Sequence, residues 1–298
     1  MSKISITGAT GFVGTNLQNY LKSAHEIVPI SVRYKPNQEF EFTTDIVIHL
    51  AGKAHDLKKV SQPQDYYDAN YELTKQLFDG FLNSEAKVFV FMSTVKAVAD
   101  EVRGILSEDA IPNPKTHYGI AKQQAEQYIL NYKLPQGKRV YILRPCMIHG
   151  PGNKGNLNLL YKLVAKGLPW PLGAFENQRS FLSVENLCFV IKELLENESI
   201  PSGAYQVADN ESLSTNELIQ LLGESLEKKS TIWKIPSSLI KGVAKLGDTL
   251  HLPLNSERLQ KLTESYVVSN NKIIAAIGKK LPIQAKEGLL ITCKSFKE

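Results

Sequence analysis

A doubly wound α/β fold, a parallel sheet with a smaller, mostly helical C-terminal lobe, is predicted by three features of the 298-residue chain. Short β-branched and apolar runs alternate with stretches of helical periodicity through the first half, as parallel strands joined by crossover helices require. The first of these runs breaks into three glycines and then into a helix. Beyond residue 155 the strand pattern thins and helical segments take over.

With 43% hydrophobic residues the chain can bury a sizeable core. Its net charge of +5 is scattered among acids rather than gathered in a block, which excludes a nucleic-acid footprint and suits small anionic ligands. Cys146, Cys188 and Cys293 lie far apart with no Cys-x-x-Cys pairing, so neither a disulfide framework nor a zinc site is indicated. A reducing cytoplasm is the expected location. No basic leader precedes the first strand, and no apolar run approaches the ~18 residues of a membrane span. Residues 232–254 are basic and amphipathic, but Pro236, Asp248 and Pro253 favour a helix packed on a small lobe over a membrane element.

The elements justify themselves in order. Strand 3–7 leads into Gly8-Ala9-Thr10-Gly11-Phe12-Val13-Gly14, the pattern of a dinucleotide-binding turn. Gly8 permits the tight turn, Gly11 the approach of backbone to a pyrophosphate, and Gly14 close packing of the helix over 12–22. The phosphates would sit at that helix's N-terminus, where N–H donors and the dipole favour anions. Phe12, Val13, Leu17 and Leu21 share one face of the helix. A second strand is expected over 26–33. Ser31 falls where an acid would hold ribose hydroxyls, and Arg33 follows, which suits the extra phosphate of NADP. Segment 34–44, with a short strand at 39–42, is too brief for a crossover helix, so this part of the fold is abbreviated.

Strand 45–50 ends in Leu50-Ala51-Gly52, small enough at its tip for a cofactor to lie against the backbone, and His49 reads as structural rather than catalytic. A helix over 66–83 and a wholly apolar strand over 87–92 follow, the strand delivering Ser93 and Thr94 at its carboxyl end. After an acid- and proline-rich loop (100–114), a helix carries Tyr118 and Lys122. Four residues apart, they stand one turn from each other on one face, so the ammonium can stabilise a phenolate. Free tyrosine titrates near ~10, and use as an acid or base at neutral pH takes about 3–4 kcal/mol.

Strand 140–143 runs into Arg144-Pro145-Cys146, with Cys146 a small wall residue rather than a nucleophile. Beyond it come a helix over 156–166, a proline-bearing loop, an extended piece at 179–182, a helix over 184–196, a returning strand at 204–208, and a helix over 214–226 capped by Ser214 with Glu217. Residues 1–155, rejoined by 179–208, form the predicted dinucleotide domain. Residues 156–178 and 209–298 form the predicted substrate lobe.

Assembled, these residues resemble the extended short-chain dehydrogenase/reductases, the nucleotide-sugar epimerase and dehydratase family with a Rossmann core. The resemblance rests on residues 7–14, His49-Leu50-Ala51-Gly52, Asn70 with Thr74, Ser93-Thr94, Tyr118 with Lys122, Leu143-Arg144-Pro145, Gly150-Pro151-Gly152 and Arg179-Ser180. It implies that Thr94 holds the sugar carbonyl or hydroxyl, Tyr118 transfers the proton, and Lys122 binds the nicotinamide ribose. It implies cofactor contacts from Gly8, Thr10, Gly11, Phe12, Val13, Gly14, Ser31, Arg33, Leu50, Ala51, Gly52, Asn70 and Pro145. Asn156 and Arg179 fall where the family holds a diphosphate, and Ser93, Lys96, Leu157, Gly173 and Arg258 complete the substrate side. Residues 93–96, 112–114, 155–156, 166–169 and 177–180 are most similar to a bacterial subgroup that includes reductases of UDP-2-acetamido-2,6-dideoxy-hexos-4-uloses, which make 6-deoxy-N-acetylhexosamines for surface polysaccharides, and many relatives labelled only UDP-glucose 4-epimerase.

The leading expectation is an NAD- or NADP-dependent 4-keto reductase, with the balance toward NADPH, acting on a UDP-sugar. A UDP-sugar 4-epimerase uses the same residues and differs in retaining NAD through turnover. A non-catalytic cofactor sensor is expected to have lost Tyr118 or Lys122. A homodimer through helices 66–83 and 117–132 is expected by family analogy, with no metal, nucleic acid or membrane partner.

Overall fold

The computed structural model describes residues 1–54, 62–153, 157–250 and 255–297. The first run forms β1 (Lys3–Thr7), buried from Ile4 onward, and the glycine turn leads into α1 (Phe12–Leu21), which buries Gly14, Leu17 and Leu21. β2 (Glu26–Ile30) pairs with β1 as the sheet edge, where Pro29 costs no ladder bond on its open side. The strand stops three residues short of the expected 33, leaving Ser31 and Arg33 exposed beyond it.

The strand expected at 39–42 does not form. The segment instead crosses the helix that follows: Phe42 is buried beside Leu77, Phe78 and Phe81, and Gln76 donates to the Lys35 carbonyl at 2.8 Å. A Cβ on Gly80 would stand 2.3 Å from the Phe40 carbonyl, so glycine there is what lets the crossing chain come so close. β3 (Ile46–His49) is fully buried.

The single helix expected over 66–83 is three pieces. α2 (Pro63–Tyr67) begins earlier, because Gln62 and Asp65 form a reciprocal capping box and Pro63 occupies the first turn. A π turn, Asp68–Glu72, then carries the buried Asn70, and α3 (Leu73–Leu82) completes the run. Such widened turns are frequent at functional sites.

β4 (Val88–Met92) is buried throughout; β5 (Ile105–Leu106) lies in the following loop; α4 (His117–Leu130) is capped by Thr116, whose hydroxyl accepts from the Gly119 N–H. β6 (Arg139–Pro145) is longer than predicted, and β7 (Met147–His149) was not legible in the pattern. α5 (Leu157–Ala165) opens the lobe, and β8 (Arg179–Ser183) follows it. α6 (Val184–Glu196) keeps its predicted bounds, and β9 (Gly203–Val207) returns to the main sheet. β10 (Ser212–Leu213) precedes α7 (Thr215–Ser225), where Ser214 and Glu217 form the expected capping box. The chain ends through α8 (Ser237–Leu250), α9 (Ser256–Thr263), β11 (Val267–Val268), α10 (Asn271–Ile277) and α11 (Ala285–Lys294).

The six-stranded sheet has order β2-β1-β3-β4-β6-β9 and is parallel throughout. Strand order reverses between β1 and β3, the place where doubly wound sheets open a crevice at their carboxyl ends. One face is covered by α1, α6 and α10, the other by α3 and α4. A second sheet, β10-β8-β7, ties the lobe to the main body. Alternation along β8 sends Phe181 into the lobe core and Leu182 into the sheet core, so this strand is the seam between them.

Candidate active site

Three glycines shape the anion end of the crevice. Gly8 has φ +69°, and a Cβ there would meet the Ala51 nitrogen at 2.7 Å; one on Gly14 would stand 2.3 Å from the Gly8 carbonyl. Gly11 is the N-cap of α1, which has neither a side-chain cap nor an acid in its first turn. Its leading N–H groups are therefore open to an anion, and a phosphate-bearing dinucleotide fits this cradle. Thr10 is exposed on the turn, and Phe12 and Val13 are half-buried behind it.

Beside the turn, His49 is wholly buried and bridges two strands and a helix. Its Nδ1 lies 2.7 Å from Thr7 Oγ1 and its Nε2 3.0 Å from Thr74 Oγ1. Thr74 donates to the Asn70 carbonyl, and Thr7 accepts from the Ala51 N–H. Burial, then the Lys122 charge, holds the imidazole well below its usual pKa, so it is a neutral strut. Asn70 Nδ2 donates to the carbonyls of Lys53 and Tyr66, and its Oδ1 accepts from the Lys53 N–H. Gly52 lies against this group: a Cβ there would be 2.6 Å from Asn70 Oδ1 and 3.2 Å from Lys122 Nζ.

Thr94, at the carboxyl end of β4, lies beside Tyr118, close enough to lower the phenol's pKa, and its hydroxyl accepts from the Lys96 N–H at 3.2 Å. Gly119 lets this turn dock on α4, since a Cβ would be 2.5 Å from the Lys96 carbonyl. Burial pushes the Tyr118 phenol up to about 12, with Thr94 opposing. One turn on, Lys122 is 3% exposed, donates to the Met92 carbonyl at 2.8 Å and stands 4.6 Å from the Phe91 ring centre. Burial lowers this amine to about 7, against an upward pull from Glu126.

Glu126 was not singled out in the sequence. It is 2% exposed, pairs with Arg144 through Nε at 3.0 Å and Nη2 at 2.6 Å, and accepts from the Ser93 hydroxyl. Its signal was the spacing alone: one further turn beyond Tyr118 and Lys122. Ser93 therefore points into this buried ion pair rather than toward the crevice.

The family described as the NAD dependent epimerase/dehydratase family matches residues 4–208. The chain belongs to that family. Among relatives, it is 29% identical to a UDP-glucose 4-epimerase of Vibrio cholerae, over 98% of this chain and 95% of the relative. It is also 29% identical to an N-acetyl-alpha-D-glucosaminyl-diphospho-ditrans,octacis-undecaprenol 4-epimerase of Escherichia coli O157:H7, over 79% and 76%. The fold matches RMD from Pseudomonas aeruginosa, a structure complexed with NADPH, with TM-score 0.76 and 23% identity over 100% and 99% of the two chains. The protein is thus an enzyme of the NAD-dependent nucleotide-sugar epimerase/reductase family.

The residues expected on the substrate side divide. Lys96 and Arg179 come together: Lys96 donates to the Asp100 carbonyl and lies 4.4 Å from the Tyr266 ring centre. Burial lowers its amine, with Glu264 and Asp100 pulling up and Arg179 pushing down. Arg179 donates to the Lys261 carbonyl at 2.6 Å and faces Glu264 at 3.9 Å. Arg258 is exposed on α9, the helix that supplies the Lys261 carbonyl. Leu157 is buried in the lobe core, and Gly173 packs against Trp233, whose carbonyl accepts its N–H at 3.0 Å. Asn156 lies outside the described residues. Pro145 is buried at the end of β6, and burial raises the neighbouring Cys146 thiol far above its usual range, which keeps it protonated.

Proposed function

We propose that this family member reduces the C4 keto group of a UDP-4-keto-6-deoxy-N-acetylhexosamine, with Tyr118 as proton donor. The observation that carries the reading is the Tyr118 phenol, set beside Thr94 and pushed up to about 12 by burial. At pH 7 such a group enters the reaction protonated, ready to donate to an oxygen that gains charge. Starting as a base, as epimerisation requires, takes the positive charge of bound oxidised nicotinamide and of Lys122 to offset that burial. NAD(P)H, when bound, supplies the hydride.

This chain's residues divide the remaining work. Thr94 holds the C4 oxygen beside the phenol, and Lys122 in its charged form stabilises the phenolate left after donation. The glycine turn and the head of α1 hold the pyrophosphate, and Asn70 with Gly52 frames the ribose side. Lys96 and Arg179 offer the two cations for the sugar's diphosphate. Ser31 and Arg33, exposed past β2, favour a 2′-phosphate and hence NADPH. A homodimer through α3 and α4 belongs to the same proposal.

The second reading is a UDP-sugar 4-epimerase, favoured by the names of the two relatives at 29% identity. One experiment separates them: purify the protein, assay retained nucleotide, and offer UDP-4-keto-6-deoxy-GlcNAc with NADPH or NADH. Consumption of reduced cofactor without tightly retained NAD is the expected result. Stoichiometric retained NAD, with interconversion of UDP-glucose and UDP-galactose or of their N-acetyl forms, overturns it in favour of epimerisation.

A further inference from the structure

The amphipathic piece near the C-terminus does more than pack on the lobe. α8 seats Ile240, Ala244 and Gly247 inward, as the sequence led us to expect. Yet Leu239, Val243, Leu246 and Leu250 are 60%, 42%, 62% and 64% exposed. Their spacings of four, three and four residues place them in one stripe along a helix of 14 residues, roughly 21 Å long. The helix thus commits one edge of its apolar face to the core and leaves the other open.

The opposite face is basic. Lys241 and Lys245 are exposed there, and exposed Lys234 precedes the helix; among the described residues none of the three has an ion pair. The helix's one acid, Asp248, accepts from the backbone N–H and hydroxyl of Ser256 at 2.9 and 2.6 Å and keeps its charge, which leaves the helix net positive by one. Trp233, four residues before the helix, is 52% exposed. An apolar edge, a lysine-bearing polar face and an adjacent exposed indole are the composition of a helix that lies in a membrane interface.

We propose that α8 docks the substrate lobe in-plane on an anionic lipid bilayer. Among the described residues no helix is long and apolar enough to cross a membrane, so the contact is peripheral. A second copy of the chain fits less well: a strip on the order of a few hundred Å² falls short of the ~800 Å² per partner of a stable interface. Charge decides the lipid class, since lysines without carboxylate partners gain from an anionic surface within a Debye length. The inference reaches beyond the proposed reaction and stands whether the enzyme reduces or epimerises.

The test is sedimentation of the full chain with sucrose-loaded vesicles of phosphatidylcholine alone or with phosphatidylglycerol. Binding should require the anionic lipid and weaken with added salt. Replacing Leu239, Val243, Leu246 and Leu250 together by Ser should lower vesicle binding about tenfold or more while leaving the protein folded at 25 °C and turnover of a water-soluble nucleotide sugar unchanged. Those side chains are half-exposed and leave Ile240, Ala244 and Gly247 in the core, so the variant stays folded, with a modest drop in unfolding temperature from the weaker helix propensity of Ser. Of the two tryptophans, Trp170 is buried, so a blue shift on vesicle addition reports Trp233, and Trp233→Phe should abolish it. Lys241→Glu with Lys245→Glu should remove the preference for anionic vesicles. Absence of vesicle binding, or binding indifferent to the serine variant, overturns the proposal. So does a change from dimer to monomer in that variant on sedimentation, which would assign the stripe to a second copy.

Discussion

Lys122 is held where a charge is expensive, and replacing it by Met should make the protein more stable and inactive at once. Its amine falls from an ordinary 10.5 to about 7 because burial penalises the charged form more than Glu126 relieves it. At 1.36 kcal/mol per pH unit, carrying that proton in the folded state at pH 6 costs about 5 kcal/mol. The variant forfeits the bond to the Met92 carbonyl, about 1 kcal/mol, so the net gain should be about 3–4 kcal/mol. The sign follows from proton counts. Below about pH 7 both folded and unfolded chains hold the proton, and the penalty is complete. Between 7 and 10.5 only the unfolded chain holds it, so parental stability climbs with pH; above 10.5 the penalty is gone. Urea unfolding of Lys122→Met and parent at pH 6 and pH 10 should show the variant ahead at pH 6 and the gap nearly closed at pH 10. A variant less stable at pH 6, or a gap that ignores pH, would refute the reasoning. Such a gain on removing a functional group is the expected trade between stability and activity.

Three further outcomes follow from neighbouring geometry. Glu126→Gln strands the buried Arg144 guanidinium and should cost about 3–5 kcal/mol in urea unfolding, most of it recovered by adding Arg144→Met; the same change lowers the Lys122 proton affinity, so the alkaline limb of the pH–rate profile should move to lower pH. Gly14→Ala forces a Cβ to within 2.3 Å of the Gly8 carbonyl, so calorimetry should show NAD(P)H binding weakened at least tenfold, roughly 1.4 kcal/mol or more. Arg33→Ala should weaken NADPH about tenfold and leave NADH unchanged, as measured by fluorescence titration; equal effects on both cofactors would remove Arg33 from phosphate recognition.

What could be read in the sequence was whatever lacks a chemical substitute. Gly8 and Gly14 are legible because backbone stands where a Cβ would be, and no other residue tolerates that. Tyr118 and Lys122 are legible because helical spacing alone places them together. The missed features depend on partners distant in the chain. Glu126 is meaningful only through Arg144 and Ser93, which reach it from the ends of two strands. The strand expected at 39–42 fails because chain crossing α3 competes with pairing, a contact set by Gly80 forty residues on. β7 and β10 are two or three residues long, too short for period-two alternation to register, and the widened turn at Asn70 leaves the apolar spacing of the helix almost unchanged.

The most direct measurement is single-turnover hydride transfer in Tyr118→Phe. Loss of the phenol with Thr94 and Lys122 intact should leave NADPH affinity within about threefold of the parent and slow the step by roughly 10²–10⁴-fold. Hydride transfer at the parental rate would contradict Tyr118 as proton donor.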